Sequence, residues 1–499
     1  MEPSSPTPAP LQHLSTGVAG LDLITGGGFF RGGIYLITGQ PGAGKTILSN
    51  QMCFHHVAEG GQAVYVTVLA ENHGRMLAHL RSLDFFDPEP VGESLFYLSG
   101  YYADEEDPLK KLREVVQQVI RQRRPSLLVL DGLATVGSLA ASDVVMKEFV
   151  HRLHVYGEAS GCTTFLLSNS PADIVGGAVH TMVDGVLDMA DKHIGSRTVR
   201  ELEVRKLRGT NYLRGWHSYE ITSAGVVVHP RTEAVLSTHL PAEDEQRNRM
   251  GFGLPVLDKM LHGGLLSASA TMLVGTPGSG KTVLGLHFLN AGARADEAGL
   301  YFGFNESAHR LINKAENLGM PFRQHVADGQ LTVLWRPPLE GVLDSLAEQL
   351  LRRVRQQKVK RLVIDSYSGF REAADRPERL TSFFIALMGE LRTLGVTTLL
   401  AVELPDLLNP TVRLPIEGVA ALVDNIILLR YVELRSHLHR LISITKVRES
   451  GYDSSIREFT IGTQGVAIAG TFASAEAVLT GIGHPLSSEQ LSTSSPAAP

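Results

Sequence analysis

Short apolar runs alternate with longer amphipathic stretches along most of the chain, and the alternation occurs twice. In the first half LFYLS (95–99), LLVLD (127–131) and TTFLLSN (163–169) are apolar runs of strand length. LTVLW (331–335), RLVID (361–365) and TTLLAVE (397–403) are their counterparts in the second. Runs this short and this continuously apolar fit strands covered on both faces. Between them, LKKLREVVQQVIRQRR (109–124) repeats apolar residues at helical spacing. Strands separated by helices predict a mostly parallel sheet with helices on both sides, an α/β architecture. Consecutive strand patterns such as TVRELEVRKL (198–207) and HSYEIT (217–222) close the first half and predict an antiparallel edge.

Each half also opens on one phosphate-binding pattern. GQPGAGKT runs from Gly39 to Thr46, and GTPGSGKT runs from Gly275 to Thr282, a domain's length further on. Both satisfy G-x-x-x-x-G-K-[ST], the P-loop, whose backbone N–H groups converge on phosphates at a helix N-terminus. Gly39, Gly42 and Gly44, with Gly275, Gly278 and Gly280, let the backbone approach a ligand with no Cβ between. Lys45 and Lys281 are expected to neutralise the β- and γ-phosphates, and Thr46 and Thr282 to offer a hydroxyl to a metal. ATP and Mg²⁺ are the cofactors this pattern implies.

Other landmarks keep nearly the spacing of the two loops. STGVAGLDLITGGG (15–28) precedes the first loop and GFGLPVLDKMLHGG (251–264) the second; both run Gly, apolar residues, Leu-Asp, then glycines. Glu71 ends VYVTVLAE and Glu306 ends LYFGFNE, while Asp131 ends LLVLD and Asp365 ends RLVID. Lys206 and Arg208 in VRKLRG answer Lys446 and Arg448 in ITKVRE. Landmarks in one order at nearly one offset indicate an internal duplication.

The landmarks carry chemistry. Asp131 and Asp365 stand where a Walker-B carboxylate belongs and are candidate metal ligands. Glu71 and Glu306, at strand ends that converge beside a P-loop, are candidates to orient or deprotonate an attacking water. Lys206 and Arg208, like Lys446 and Arg448, are spaced i, i+2 on strand patterns and so point one way. These residues alone leave open whether each pair reaches a neighbouring subunit's γ-phosphate or faces solvent on an edge strand. His55 and His56 read as structural, Arg121, Arg123 and Arg124 as a charge match at a helix C-terminus, and Trp216 and Trp335 as packing residues.

Length and charge narrow the function. A chain of 499 residues exceeds one ordinary core, so two or three domains are expected. We read 1–10 as a disordered N-terminal tail, 11–235 as the first domain and 236–249 as a linker. The second domain spans 250–470, and 471–499 is a largely disordered C-terminal tail. A net charge of −6 argues against a protein whose main task is coating DNA, so nucleic acid is not an expected partner. The two cysteines, Cys53 and Cys162, offer neither metal spacing nor a disulfide framework, which points to a reducing cytoplasm. The N-terminal residues lack the basic and apolar regions of a signal peptide, and the longest apolar runs are of strand length, so no membrane association is expected.

Over residues 11–470 the chain resembles the KaiC family of RecA-like tandem ATPases. The most specific pieces are KLRGT (206–210), IILLRYVELR (426–435), ITKVRES (444–450) and IREFTI (456–461). The resemblance implies two RecA-like domains, assembly into a homohexamer of two stacked rings with ATP at subunit interfaces, and Lys206, Arg208, Lys446 and Arg448 acting in trans. It further implies an ATP-hydrolysing conformational switch read by a regulatory protein, with residual serine/threonine kinase activity as an accompanying possibility. The alternative, a RecA/RadA-like DNA-handling ATPase, would call for basic DNA-binding loops or an accessory zinc finger; the acidic net charge and the lack of a four-cysteine cluster count against it. Two departures matter. The family's adjacent glutamates read here as Ala70-Glu71 and Asn305-Glu306. The adjacent Ser-Thr phosphoacceptors of the family's clock protein align with Ala420 and Ala421, which have no hydroxyl to phosphorylate.

Overall fold

The computed structural model describes residues 12–68, 73–100, 107–140, 142–169, 178–194, 197–236, 248–337, 342–404, 423–434, 437–469, 475–477 and 483–485. The chain divides into two compact units, Met1–Val235 and Leu236–Pro499.

The sheet of the first unit contains β1 (Ile34–Gly39), β2 (Ala63–Thr67), β3 (Leu95–Ser99), β4 (Leu127–Asp131), β5 (Thr163–Ser168), β6 (Gly185–Ile194), β7 (Arg197–Leu207), β8 (His217–Thr222) and β9 (Gly225–His229). Its spatial order is β9-β8-β7-β6-β1-β5-β4-β2-β3. The second unit contains β10 (Ala270–Gly275), β11 (Gly299–Gly303), β12 (Leu331–Trp335), β13 (Arg361–Asp365), β14 (Thr397–Glu403), β15 (Asn425–Leu434), β16 (His437–Val447), β17 (Arg457–Gly462) and β18 (Gly465–Ile468). Their order, β12-β11-β13-β14-β10-β15-β16-β17-β18, repeats the first sheet strand for strand. The strands from β3 to β6 across the first sheet pair in parallel, and β6-β7-β8-β9 form the antiparallel edge expected from sequence.

Alternation along the strands explains the layering. In β1, β2 and β4 the side chains of Leu36, Val64, Val66, Leu128 and Leu130 join Leu112, Val116, Phe149 and Leu153 from helices on one face. Tyr35, Ile37, Ala63, Tyr65, Leu127 and Val129 point the other way, onto Leu48, Met52 and Phe54 of the helix Lys45–Ala58. With both faces covered, polar alternation is lost, which is why these strands read as continuous apolar runs. Each such Leu or Val taken fully out of water stabilises by roughly 1.5–3 kcal/mol.

The Leu-Asp landmark is a loop organiser. Asp22 accepts from Thr16 N (2.9 Å), Thr16 Oγ1 (2.7 Å) and Ser15 Oγ (2.8 Å). Asp258, its counterpart in the second unit, accepts from Phe252 N (2.6 Å) and Leu254 N (3.2 Å). These bonds tie the entry segment to the short helices Ala19–Thr25 and Pro255–Met260. Beyond the second sheet, Ala475–Ala477 and Gly483–Pro485 pair as a two-stranded ladder.

Candidate functional site

Both P-loops leave the C-terminal end of the central strand and run into a helix, Lys45–Ala58 in one unit and Lys281–Arg294 in the other. Gly42 and Gly44 hold φ of 87° and 91°, and Gly278 and Gly280 hold 75° and 105°, values that L side chains rarely adopt. At Gly44 an added Cβ would also fall 2.7 Å from Ile221 Cδ1. Neither helix carries an acidic residue of its own in its first turn, which leaves its N-terminal amides facing the loop suited to an anion.

The two lysines lie folded across their own loops. Lys45 Nζ donates to Gly39 O (2.6 Å) and Gln40 O (3.1 Å), and Lys281 Nζ donates to Gly275 O (2.8 Å) and Thr276 O (2.9 Å). Burial lowers the pKa of both, opposed at Lys45 by Asp131 and at Lys281 by Glu403 and Asp365. An arriving polyphosphate would restore what burial takes from the ammonium ion.

Beside each lysine the threonine meets the strand-end aspartate. Thr282 Oγ1 donates to Asp365 Oδ2 at 2.6 Å, and Thr46 Oγ1 to Asp131 Oδ2 at 3.4 Å. The same oxygen takes a second donor in both units: Tyr65 OH lies 2.7 Å from Asp131 Oδ2, and Tyr301 OH 2.7 Å from Asp365 Oδ2. Sequence reasoning missed these tyrosines because each sits in an apolar strand and reads as core. They are separated by the same interval as the P-loops, and that shared spacing is the signal that could have found them.

In the second unit these groups line one cavity of about 280 Å³, together with Asn305, Glu306, Lys314 and Glu403. Glu306 stands beyond the end of β11, not on the strand, because the chain turns before the helix Ala308–Asn317. Its Oε1 pairs with Lys314 Nζ, and its Oε2 is buried with no partner among the described residues. Glu403, the last residue of β14, places Oε1 3.9 Å from Lys281 Nζ. The first unit has Asn169 at the corresponding point of the repeat. Glu71, Ala420 and Ala421 lie outside the described residues.

The basic pairs stand at the far end of each sheet. Lys206 Nζ donates to Val183 O (2.6 Å), His180 O (3.0 Å) and Thr181 O (3.3 Å). Arg208 reaches the same Thr181 O (3.2 Å) and pairs with Asp184 (3.5 Å). Lys446 Nζ donates to Val423 O (2.7 Å), and Arg448 stands 3.7 Å from Asp424. The expectation that all four lie on strands needs correcting: Arg208 and Arg448 fall just past the ends of β7 and β16. Lys206 and Arg208 still share a side, as the i, i+2 spacing requires, since both reach Thr181 O. Asp184 and Asp424 also accept the first amides of the central strands, Ile34 N (3.0 Å) and Ala270 N (2.9 Å). The P-loop leaves that strand at its other end, about 16 Å away at ~3.3 Å per residue. Neither pair can reach the phosphates of its own unit's loop.

Of the lesser readings, Arg123 ends the helix Pro108–Arg123, as a charge match requires. His56 accepts or donates at 2.6 Å to Ser126 Oγ in a structural contact. Trp335 is no core residue: it is 39% exposed and its Nε1 donates to Phe304 O at 2.8 Å. Cys53 and Cys162 are buried and unpaired. Among the described residues no helix is long and apolar enough to cross a membrane, and no group of three or more His, Cys, Asp or Glu could hold a metal.

Comparison with known proteins agrees with this geometry. The family model described as the KaiC ATPase matches twice, over residues 14–233 and 250–471. The circadian clock oscillator protein KaiC of Picosynechococcus is 27% identical over 482 residues, covering 94% of this chain and 92% of that protein. The protein of the same name from Rippkaea orientalis is 26% identical, covering 94% and 91%. That from Synechococcus elongatus is also 26% identical, covering 94% and 92%.

Proposed function

The chain belongs to the KaiC ATPase family, and we propose that it is a two-site ATPase switch whose sites are completed by neighbouring copies of itself. ATP binds at both P-loops. Backbone N–H groups at the starts of the helices Lys45–Ala58 and Lys281–Arg294 take the phosphates, and Lys45 and Lys281 leave their carbonyls for phosphate oxygens. Thr46 with Asp131, and Thr282 with Asp365, would hold Mg²⁺, since each pair brings two hard oxygens together beside the loop. When bound, Mg²⁺ would neutralise charge on the phosphates. Glu306, which lines the cavity, takes a proton from, or orients, the attacking water, and Glu71 has that role in the first unit.

The observation that carries the assembly is the distance between basic pair and P-loop within one unit. Lys206 and Arg208, and Lys446 and Arg448, are held together on a loop their own phosphates cannot use. A ring of copies puts such a pair against the next subunit's γ-phosphate, the arrangement of an arginine finger. Six subunits is the number the family resemblance supports. The state of the ring would be read by a regulatory protein, and the chain would work in the cytoplasm. With alanine at 420 and 421, autophosphorylation at the positions of the family's clock protein has no acceptor. Nothing favours the DNA-handling alternative over this reading.

Lys45→Ala and Lys281→Ala test it. Each is expected to weaken ATP binding at its own site and to loosen the ring. Unchanged ATPase rate and unchanged particle size in both variants would sink the proposal.

A further inference from the structure

Tyr65 and Tyr301 stand at equivalent places in the two sites, are buried and have no role in the P-loop pattern. Tyr65 is 0% and Tyr301 2% exposed, yet each phenol ends on a charged oxygen, at the same 2.7 Å, in two separately folded units. A buried phenol can be satisfied by any nearby carbonyl, and the ring would pack as well if it were Phe. That both copies instead spend the hydroxyl on the strand-end aspartate marks the contact as a feature of the site.

We propose that Tyr65 and Tyr301 are positioning residues for a divalent cation, each locking the Asp131 or Asp365 carboxylate in one orientation. This rests on the reading that these aspartates hold the metal of a metal–nucleotide complex. The tyrosine and threonine hydroxyls both donate to Oδ2, which fixes the carboxylate plane beside the loop. A carboxylate held by a buried donor binds metal without first losing rotational freedom. Partners of this kind, one bond removed from the metal, typically change affinity about 10–100-fold when deleted.

The test is the number and affinity of Mn²⁺ sites, read by electron paramagnetic resonance on the full chain with a non-hydrolysable ATP analogue. The parent is expected to hold two tight Mn²⁺ per chain. Tyr301→Phe should keep one tight site and weaken the other about tenfold, Tyr65→Phe should do the converse, and the double variant should weaken both. Binding of the analogue in EDTA should stay near the parent value. Two tight sites in the double variant would overturn the proposal, as would an equal loss of analogue binding in EDTA, which would place the effect in the fold. Asp131→Asn with Asp365→Asn separates the two layers of argument. If that pair abolishes tight Mn²⁺ while the tyrosine variants do nothing, only the positioning role fails. If it leaves both Mn²⁺ sites tight, the metal reading of the aspartates fails with it.

Discussion

The helix after each P-loop does one job with two chemistries. In the first unit Gln51 Oε1 accepts the amide of Val226, in β9, at 2.9 Å. In the second, His287 Nε2 accepts the amide of Val466, in β18, at 3.0 Å. Gln51 and His287 hold the same place in their repeats, so the duplication has kept a bond that ties the last edge strand to the nucleotide helix while changing its acceptor. An amide oxygen accepts at any pH. An imidazole nitrogen accepts only while unprotonated, and burial, helped by Arg294, lowers the His287 pKa to about 4. A second difference lies at the lysine: Glu403 stands 3.9 Å from Lys281, where the first unit has the neutral Asn169. Two sites on one frame can therefore be told apart by acid and by charge.

The largest effect should come from the basic pairs. Arg208→Ala and Arg448→Ala are expected to slow hydrolysis at the site each completes by about 10³-fold, with ATP binding nearly intact. Mixing Arg208→Ala chains with Lys45→Ala chains, or Arg448→Ala with Lys281→Ala, should restore hydrolysis that neither variant shows alone at that site, because a mixed ring sets an intact P-loop against a neighbour's intact arginine. A mixture that stays inactive would mean the pair acts within its own unit.

Acid should separate the units next. His287 is neutral in the folded state down to about pH 4, whereas an unfolded histidine takes up its proton near 6.5. The unfolded chain then binds more protons, so the stability of the second unit is complete above pH 6.5 and declines as pH falls towards 4. The full decline is on the order of 3 kcal/mol. His287→Gln, which copies the first unit, should flatten that dependence in thermal scans from about pH 7 to 4. An unchanged slope would show that other groups govern acid stability.

The smallest shift should come from Glu403→Asn, which gives the second site the first site's residue. Glu403 is 41% exposed at its side chain, so its pull on Lys281 is screened. A pair of this kind is worth ~0.2–1 kcal/mol, and ATP affinity at the second site should rise about 1.4- to fivefold. A fluorescent ATP analogue titrated against the parent and the variant measures it; weaker binding in the variant would show that Glu403 assists the nucleotide.

Much of this was open to sequence reasoning because the constraints are local. A P-loop needs glycines at fixed positions, then a lysine and a hydroxyl close behind them, and a parallel strand needs an unbroken apolar run. The parallel sheet and its antiparallel edge followed from those patterns. What stayed hidden depends on distance across the fold. Asp184 and Asp424, which anchor the basic pairs and cap the central strands, look like ordinary loop residues until β6 and β15 are laid beside β1 and β10. Tyr65 and Tyr301 look like core, since only the register of β2 on β4 and of β11 on β13 brings them to Asp131 and Asp365. Trp335 shows the reverse error, a large aromatic read as packing that ends a strand at the surface.

The central claim is that two ATP sites work in a ring of identical chains, and native mass spectrometry with and without Mg-ATP tests it most directly. Released phosphate and protein-bound phosphate would be counted in the same sample. The account predicts a six-subunit particle with nucleotide that releases phosphate and keeps none on the protein. A monomer that hydrolyses ATP at the full rate, or a ring that accumulates covalent phosphate, would contradict it.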